Sequence, residues 1–377
     1  MFPHFFSARL SFFHCVSAIH ERAAKELDRN RLDLLSVTPA AAGRRGARLT
    51  FGGGSAPCAR NFPQTMSEPA KAIGIDFGGT SIKSAVVQAG ALLHRGEAID
   101  TRKHDGVDGI MAALLNGIAS MRKAHPEVAA VGVGLPGFVD SVHGIVHHIA
   151  NVPGWSEVPL TGLLRDATGL PAVIENDGNA MAYAEFRQGA ARGGRNVICI
   201  TLGTGVGAGL VLDGRLYRGS RLAAAEVGHA SIDFNGRRGV YGNPGDLETF
   251  VGNRQIAQRA ARLYAAAGDP RPEEQCTPAD LAELAGRGDR IAIALWDSIG
   301  TEIGAALVNA IWLLNPDAIV IGGGVAAAGD LLFGPVRRTI RDRTSALFHE
   351  ELRVVPATLG NDAGIIGSAE LALETEE

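Results

Sequence analysis

From Lys71 onward, short apolar runs alternate with helical patterns along the chain. The runs KAIGID and SIKSAVV predict two strands joined by a glycine turn, and VAAVGVG predicts a buried strand. Before VAAVGVG, apolar residues recur at helical spacing over residues 108–123, which predicts an amphipathic helix. This alternation is typical of an α/β layered fold.

A second set of elements begins at NVICITLGTGVGAGLVLDG, in which Asp213-Gly214 predicts a hairpin turn. Helices are predicted near residues 254–267, 278–286 and 290–313. Thr277 is the expected N-cap of the middle one, with proline at its first position. The strand DAIVIGGG and a closing helix over residues 364–377 complete the pattern.

The openings of the two sets resemble one another. IDFGGTSIKSAVVQAGAL and ITLGTGVGAGLVLDGRL each contain a strand, a Gly/Thr turn, a second strand and a small turn, which indicates an internal duplication. We therefore expect an N-terminal lobe over residues 70–185, with the closing helix packed against it, and a C-terminal lobe over residues 186–363.

Composition limits the classes of function. A chain of 377 residues with 46% hydrophobic and 20% charged residues suits a two-lobe globular protein, and no apolar run approaches the length of a membrane span. A net charge of −4 offers no basic face for nucleic acid. The four cysteines have no paired spacing, so we expect neither disulfides nor a cysteine zinc site. We predict a cytoplasmic protein that binds small molecules, with neither nucleic acid nor membrane as a partner.

Residues 1–65 differ from the rest, being Phe-rich at the start and Arg-rich later, without strand and helix alternation. Met66 opens an ordinary lead into the first strand, so our first interpretation is a wrongly assigned start codon. A targeting peptide is the second interpretation, although an early basic region and a cleavage site are missing. Disorder is expected either way.

Two Gly/Thr turns are the first candidates for chemistry. Glycines let the backbone approach an anion, and the amide and threonine hydroxyl groups can donate to phosphate. The residues concerned are Gly78, Gly79 and Thr80 in the first turn, and Gly203, Thr204 and Gly205 in the second. Asp76, at the end of the first strand, could hold magnesium through water. Each turn alone could be an ordinary hairpin, but the pair suggests a triphosphate held between two lobes.

A third glycine cluster includes Gly323 and Gly324, which follow the strand AIVI. Missing side chains there could make room for an adenine ring or ribose. Tight packing between strand and helix would explain two glycines, whereas three in succession favour a ligand. The order of glycines fits neither a dinucleotide fingerprint nor a Walker loop.

Asn176 and Asp177 lie between the strand PAVI and a helical pattern, where sites of α/β proteins are commonly built. Asp177 could accept a proton from a substrate hydroxyl, and Asn176 could hydrogen-bond a diol. From local sequence alone, however, both are more typical of helix caps. Glu226, His229 and Glu248 offer further groups suited to adjacent hydroxyls, although each alone is more typical of a solvated or structural residue.

Taken together, IDFGGTSIK, LPGFVD, NVPGW, ENDGNA, LGTGVGAG, EVGH and IGGG resemble the ordered motif set of the ROK family of bacterial sugar kinases and repressors, over about residues 72–370. The resemblance implies an α/β protein of two ribonuclease-H-like lobes, of the actin and hexokinase type, with ATP and a hexose in the interdomain cleft. It implies that Asp177 is the catalytic base, and that the sugar is bound by Gly137, Asn176, Glu226, His229 and Glu248. The three glycine clusters would bind the nucleotide.

One segment departs from the family pattern. Many members carry CxCGxxGCxE, whose cysteines bind zinc together with the histidine of EVGH. Aligned on Glu248, this chain has Gly239, Tyr241 and Asp246 at those cysteine positions. Because glycine and tyrosine are not plausible replacements for zinc-binding thiolates, we predict no zinc. We expect the loop over residues 235–246 to be held by packing or hydrogen bonds instead.

The resemblance leaves alternatives open. Glucose is the default sugar, since no feature reads an N-acetyl group, but mannose, fructose and N-acetylated hexosamines remain. ATP with Mg²⁺ is the expected donor, and polyphosphate stays open because polyphosphate-using members also lack the cysteines. A sugar-responsive repressor is the alternative of another class, although residues 1–65 show no convincing helix-turn-helix. We expect a homodimer or a higher homo-oligomer.

Overall fold

The computed structural model describes residues 68–149 and 152–374, so the interpretations of residues 1–65 lie outside the described part. Nine strands belong to its first half: β1 (Lys71–Phe77), β2 (Ser81–Gln88), β3 (Ala91–Arg95), β4 (Ile99–Asp100), β5 (Val128–Leu135), β6 (Phe138–Asp140), β7 (Ile145–His148), β8 (Ser156–Val158) and β9 (Ala172–Asn176). The main sheet has the order β3-β2-β1-β5-β9 with β4 beside β2, and β6, β7 and β8 form a small sheet of their own. The helices are α1 (Gly106–Ala124), α2 (Leu160–Thr168) and α3 (Asp177–Gln188).

The second half contains one sheet with the order β12-β11-β10-β13-β14. Its strands are β10 (Val197–Leu202), β11 (Val206–Leu212), β12 (Arg215–Leu216), β13 (Ala318–Gly322) and β14 (Arg353–Pro356). The helices of this half are α4 (Glu248–Val251), α5 (Asn253–Ala266), α6 (Pro278–Gly286), α7 (Arg290–Leu314), α8 (Asp330–Arg343) and α9 (Ala346–His349), after which the chain returns to the first half in α10 (Ala363–Leu373).

The two main sheets are built to one plan. In each, the first strand is central, pairs with the next strand in an antiparallel hairpin, and has parallel strands on its other side. Each half also has its own apolar cluster, one including Phe77 against Trp155 and the other including Trp296. This common topology agrees with the duplication expected from the two similar openings.

Local signals in the sequence placed several boundaries correctly. Asp213 and Gly214 both have positive φ, 52° and 78°, as the hairpin turn between β11 and β12 requires. Thr277 caps α6 in a complete capping box with Asp280. The closing helix, α10, starts at Ala363 and ends at Leu373, which is shorter than the predicted 364–377. It packs against β1, β5 and α3.

Helix α7 corrects the expectation about apolar runs. By length and composition it is the one helix among the described residues that could cross a membrane, with a mean hydropathy of 1.5 over its best window. The sequence predicted a helix near residues 290–313, but Asp297 and Glu302 interrupt its apolar run, so its length as an apolar segment was not recognised. More than half of that window is buried, and Trp296, Ile303 and Leu307 lie in the core of the second half. We therefore describe α7 as a core helix.

Buried glycines allow α10 to lie directly on the first sheet. Gly74 of β1 and Gly132 of β5 are neighbours in the sheet, and a side chain on either would overlap the backbone of α10 at Ile365 or Ser368. Since backbone atoms cannot swing aside as a side chain can, the missing Cβ atoms set the distance between sheet and helix.

One carboxylate holds both connections between the halves. Glu185 of α3 is fully buried and accepts hydrogen bonds from the backbone N–H groups of Ala190, Thr358 and Leu359. Ala190 lies on the connection that leads into β10, and Thr358 and Leu359 lie on the one that leads into α10. Because three backbone donors satisfy this buried charge, α3 and both connections are fixed relative to one another.

The glycine contact predicts opposite effects for two Gly→Ala changes. Gly132→Ala should lower the free energy of unfolding by about 3 kcal/mol, since the new methyl group collides with α10. Gly117→Ala, in α1, meets open space and should raise it by up to about 1 kcal/mol. Urea denaturation measures both, and equal effects of the two changes would contradict this account of the packing.

Candidate active site

Asp177 stands at the junction of β9 and α3. The N-cap of α3 is Asn176, whose Oδ1 accepts from the backbone N–H of Asn179 at 3.2 Å. Asp177 is the first helical residue, and its Oδ1 accepts from the N–H of Gly178 at 2.8 Å. The sequence had favoured a cap at either position, and the structure assigns the cap to Asn176. The carboxylate of Asp177 is therefore not needed to begin the helix.

The pKa of Asp177 is raised to about 6. Loss of hydration is the main cause, and the negative charges of Asp76 and Glu226 add to it against the lowering effect of the Gly178 N–H. The residue remains exposed to solvent, so the loss of hydration is incomplete. A carboxylate with this pKa is mostly ionised at neutral pH and accepts a proton more readily than an ordinary aspartate.

Asp76 lies at the end of β1, half-buried, and its pKa is raised by loss of hydration against the opposing charge of Lys83. Lys83 is directly opposite in the antiparallel pair with β2. The start of α10 is also close, since a Cβ on Gly364 would come within 3.1 Å of the Asp76 carboxylate. The structure thus brings Asp76 close enough to Asp177 for its charge to raise the pKa of Asp177.

Asn176 and Gly137 are also brought together. The Nδ2 of Asn176 donates to the carbonyl of Gly137 at 3.3 Å. Gly137 has φ of 90°, and a side chain there would overlap the carbonyl of His148. Glycine is therefore required at this position by the backbone, and its carbonyl is fixed beside Asn176.

Glu226 and His229 form a second part of the site, on the short turn Val227–His229. Glu226 is exposed, with a carboxylate oxygen 3.9 Å from Nε2 of His229. Glu226 lies close enough to Asp177 for its negative charge to add to the rise in the pKa of that carboxyl. His229 is joined to this part of the site through Glu226.

Glu248 takes a different position from the other sugar-binding candidates. Its Oε2 accepts from the N–H of Val206 at 2.9 Å, and a side chain on Gly205 would overlap it. Gly228, next to His229, packs closely on the carbonyl of Val206. Val206 therefore links Glu248 with the Glu226 turn, and Glu248 supports the second Gly/Thr turn as well.

The loop over residues 235–246 is held without a metal cluster in the described residues. Hydrogen bonds join its two sides, including those from the N–H of Gly239 to Asn243 and from the N–H of Gly245 to Arg237. A side chain on Gly239 would overlap the carboxylate of Asp246, so these two replacements fit each other. Tyr241 packs edge-on against His229, with ring centroids 4.8 Å apart.

Asp246 adds a second contact to His229. One of its carboxylate oxygens lies 3.7 Å from Nδ1 of the ring, which has no hydrogen-bond partner among the described residues. The same carboxylate accepts from the N–H of Thr249. Asp246 and Tyr241 therefore surround the inner side of His229, and Nε2 points towards Glu226.

The two Gly/Thr turns have similar local structure. Thr80 and Thr204 are exposed at the tips of the hairpins β1–β2 and β10–β11. The first turn is closed by a bond from the N–H of Gly78 to Ser81, and the second by one from the N–H of Gly203 to Gly205. A Cβ on Gly203 would meet open space, so packing within the chain does not require glycine there. Open space beside a glycine leaves room for a ligand to approach the backbone.

In the third glycine cluster, tight packing explains one glycine and space for a ligand explains another. Gly323 has φ of 84°, and a side chain on it would overlap Leu202, so its geometry and packing both require glycine. Gly324 begins the turn Gly324–Ala328, and a Cβ there would meet nothing within 4 Å. Only Gly324 therefore lacks a structural reason to be glycine.

One contact of the site was missed by the sequence interpretation. Glu175, just before Asn176, is buried, and its Oε2 accepts from Nε of Arg218 at 2.6 Å. The local sequence contains no signal for this pair, because its members are 43 residues apart and belong to different halves of the chain.

The raised pKa of Asp177 predicts a stability effect of Asp177→Asn. The folded chain holds this proton up to about pH 6 and the ordinary value is 3.8, so the wild type loses stability as the pH rises between them. The gap sets an upper bound of about 3 kcal/mol, and screening by the solvent that reaches the group reduces the expected value to about 1 kcal/mol.

Urea denaturation at pH 7.5 should therefore find Asp177→Asn more stable than the wild type, and the difference should vanish below pH 4. The control is Asp213→Asn, since Asp213 lies in an exposed turn. A variant that is less stable than the wild type at pH 7.5 would contradict the prediction.

Comparisons with known proteins show what the chain is similar to. The chain is 33% identical over 313 residues to a glucokinase from Thermotoga maritima, covering 81% of this chain and 98% of the relative. It superposes on a ROK family glucokinase from Streptomyces griseus, solved with glucose and AMPPNP, with a TM-score of 0.67, 32% identity and coverage of 81% and 100%. It is also 31% identical over 249 residues to the transcriptional repressor Mlc of Escherichia coli, covering 66% of this chain and 61% of the repressor.

The structural match confirms the predicted fold, an α/β protein with two ribonuclease-H-like lobes and a cleft between them. The profile of the ROK family matches residues 72–375, which is most of the chain and nearly all of its described part. The resemblance inferred from the seven motifs is therefore confirmed, and this chain belongs to the ROK family.

Proposed function

We propose that this protein is an ATP-dependent hexose kinase that converts glucose to glucose 6-phosphate. The observation that carries the proposal is the carboxylate of Asp177, which is spared from helix capping and has a pKa raised to about 6. Two similarly built Gly/Thr turns, one in each lobe, join β1 to β2 and β10 to β11. The glucokinase relatives, matched over nearly their full length, support the same reaction.

In the proposed reaction, Asp177 accepts the proton of the sugar 6-hydroxyl as that oxygen attacks the γ-phosphorus of ATP. The bond between the γ-phosphorus and its bridging oxygen breaks, and ADP leaves with the electron pair. Asp177 is suited to this step because its raised pKa, about 6, is closer to neutral pH than that of an ordinary aspartate.

The phosphates would be held mainly by positioned backbone donors. The backbone amides of the two turns, with the hydroxyls of Thr80 and Thr204, lie at the tips of the hairpins β1–β2 and β10–β11. Gly324 leaves space for the adenosine, and Gly323 allows the strand to turn there. The threonine and glycine residues would thus bind the nucleotide through positioned hydrogen-bond donors and through the space beside the glycine backbone, without a Walker loop.

The carboxylate chemistry at Asp76 fits magnesium. Mg²⁺ is commonly held by one or two carboxylates, several waters and the substrate phosphates, which does not require a dedicated cluster of protein ligands. Asp76, half-buried beside the first turn, would hold the ion through water. The ion would supply positive charge that offsets the negative charge of the phosphates.

The sugar would lie between the remaining groups. Asn176 and the backbone at Gly137 would bind it from the first lobe, and Glu226 and His229 from the second. Glu248, whose Oε2 accepts from the N–H of Val206 beside Gly205, would contact the sugar from the second lobe. These sugar-binding roles are part of the same proposal as the role of Asp177 as the base.

The donor and the sugar can be separated by one assay. Turnover should be measured with glucose, mannose, fructose and N-acetylglucosamine, each with ATP and with polyphosphate. The proposal expects the highest kcat/KM for glucose with ATP. Polyphosphate as the better donor would replace ATP in the account, and a preference for another hexose would replace glucose. Failure with every pair would overturn the kinase assignment.

Asp177→Asn should abolish transfer while sparing sugar binding. We expect kcat to fall at least about 10²-fold because the variant has no base. The dissociation constant for glucose, measured by titration calorimetry, should stay within about threefold, since the amide keeps the size of the side chain. Asp213→Asn is the control. Near-normal turnover of Asp177→Asn would refute its role as base.

Tyr241→Ala should weaken sugar binding. Removal of the ring that packs against His229 frees the imidazole, and a loss of about 1 kcal/mol corresponds to a severalfold rise in KM for glucose. The matched control is Val240→Ala, since the neighbouring Val240 is 81% exposed. If both changes affect KM equally, Tyr241 does not hold His229.

Four further expectations accompany the proposal. Chelation should leave the stability of the protein unchanged, because Gly239 and Asp246 fit each other in place of metal ligands. Light scattering tests the expected homodimer or higher oligomer, and fractionation of cells tests the cytoplasmic location. An operator-binding assay separates the kinase from a repressor, for which any helix-turn-helix would fall among residues 1–65.

A further inference from the structure

The ion pair between Glu175 and Arg218 connects the two lobes beside the proposed base. Glu175 is the penultimate residue of strand β9 in the first lobe, and Arg218 follows strand β12 of the second. The Nε of Arg218 donates to Oε2 of Glu175 at 2.6 Å, a charge-assisted bond whose acceptor is only 5% exposed. The pair therefore fixes a point on one lobe to a point on the other.

On the first lobe, Glu175 holds the residues that begin α3. Its second oxygen, Oε1, accepts from the backbone N–H of Asn176 at 2.9 Å and from Nδ2 of Asn179 at 3.0 Å. Asn179 in turn donates its backbone N–H to Oδ1 of Asn176. The carboxylate of Glu175 thus sets the position of the cap, and Asp177 is the next residue after it.

On the second lobe, Arg218 closes the loop that leads to Glu226. Its carbonyl accepts from the N–H of Ala224 at 3.0 Å. Two residues of this loop have left-handed backbone without being glycine, Leu222 with φ of 57° and Ala225 with φ of 72°. Such a backbone persists only where the surroundings hold it. Ala225 directly precedes Glu226, so the loop anchored by Arg218 sets where that carboxylate lies.

We propose that Arg218 is a positioning residue for phosphoryl transfer, which through Glu175 fixes the proposed base Asp177 relative to the sugar-binding Glu226. The inference rests on the proposed kinase function and adds a residue to it. Arg218 acts through its contact with Glu175 and not through the effect of its charge on Asp177. Besides desolvation, the groups that raise the pKa of Asp177 are Asp76 and Glu226. A displacement of about 1 Å in such a group can cost about 10²-fold in rate.

The first test compares Arg218→Ala with Arg215→Ala. Arg215 is exposed, lies three positions earlier, and lines the same cavity of about 780 Å³ as Arg218 and Glu175. We expect Arg218→Ala to lower kcat about 30- to 100-fold, with KM for ATP within about threefold of the wild type. Arg215→Ala should behave as the wild type. Equal kcat values for the two variants would overturn the inference.

Rescue separates positioning from loss of folding. Guanidinium ion, at concentrations well below those that unfold proteins, can enter the space left by Arg218→Ala and pair with Glu175. It should restore kcat at least about fivefold in Arg218→Ala, with little effect on the wild type or on Arg215→Ala. Two results would show that Arg218 has no positioning role. One is a kcat of Arg218→Ala that equals the wild-type value once it is corrected for the concentration of folded sites. The other is a kcat of Arg218→Ala that does not rise when guanidinium is added.

A double-mutant cycle tests the path through Glu175. Glu175→Gln and Arg218→Gln should each lower kcat, and the double variant should be no slower than the slower single variant, because both act on one contact. Multiplicative losses would overturn the inference. Absence of glucose phosphorylation by the wild type would instead refute the proposed function, which keeps the two failures distinct.

Discussion

Two negatively charged carboxylates lie close enough to the carboxyl group of Asp177 to disfavour its ionisation, and the rest of the site depends on holding them there. Asp177 has its pKa raised by lost hydration and by the charges of Asp76 and Glu226. No arginine or lysine neutralises Asp177 directly in the described hydrogen bonds and ion pairs. The arrangement lowers the stability of the folded chain at neutral pH, and in return leaves a carboxylate with a heightened affinity for a proton.

The scaffold restrains these groups through helix α3. At its start, Asn176 provides the cap and leaves Asp177 free. At its end, the buried carboxylate of Glu185 binds both connections between the lobes. Along its length, α3 packs against β10 and β11 on one side and α10 on the other. A side chain on Gly209 would collide with Ala182 and Gly178, so glycine permits this contact. Helix α3 therefore connects the proposed base with both connections between the lobes and with both main sheets.

The sequence predicted those features that local patterns determine. The hairpin at Asp213 and the capped helix at Thr277 follow from turn and cap chemistry, and both were correct. The division between Asn176 as cap and Asp177 as free carboxylate could not be predicted, since adjacent Asn and Asp satisfy the same rule. The helix α7 was predicted, but its membrane-like length of apolar sequence was not, because Asp297 and Glu302 interrupt the run.

Contacts between distant segments required the structure. Arg218 and Glu175 meet only because β9 and β12 end near one another in the folded chain. The fit between Gly239 and Asp246 likewise depends on the two sides of a loop. Sequence could predict the absence of thiolate ligands there, but not what occupies their place. Roles of single residues at the sugar site remain predictions that the geometry supports.

The most direct measurement of the central claim is the pH dependence of kcat/KM for glucose, which reports ionisations of the free enzyme. If Asp177 is the base, kcat/KM should be level above pH 7 and fall about tenfold per pH unit below an apparent pKa near 6. A profile that stays level down to pH 5 would contradict the account, because Asp177 would then not need to lose a proton before it acts.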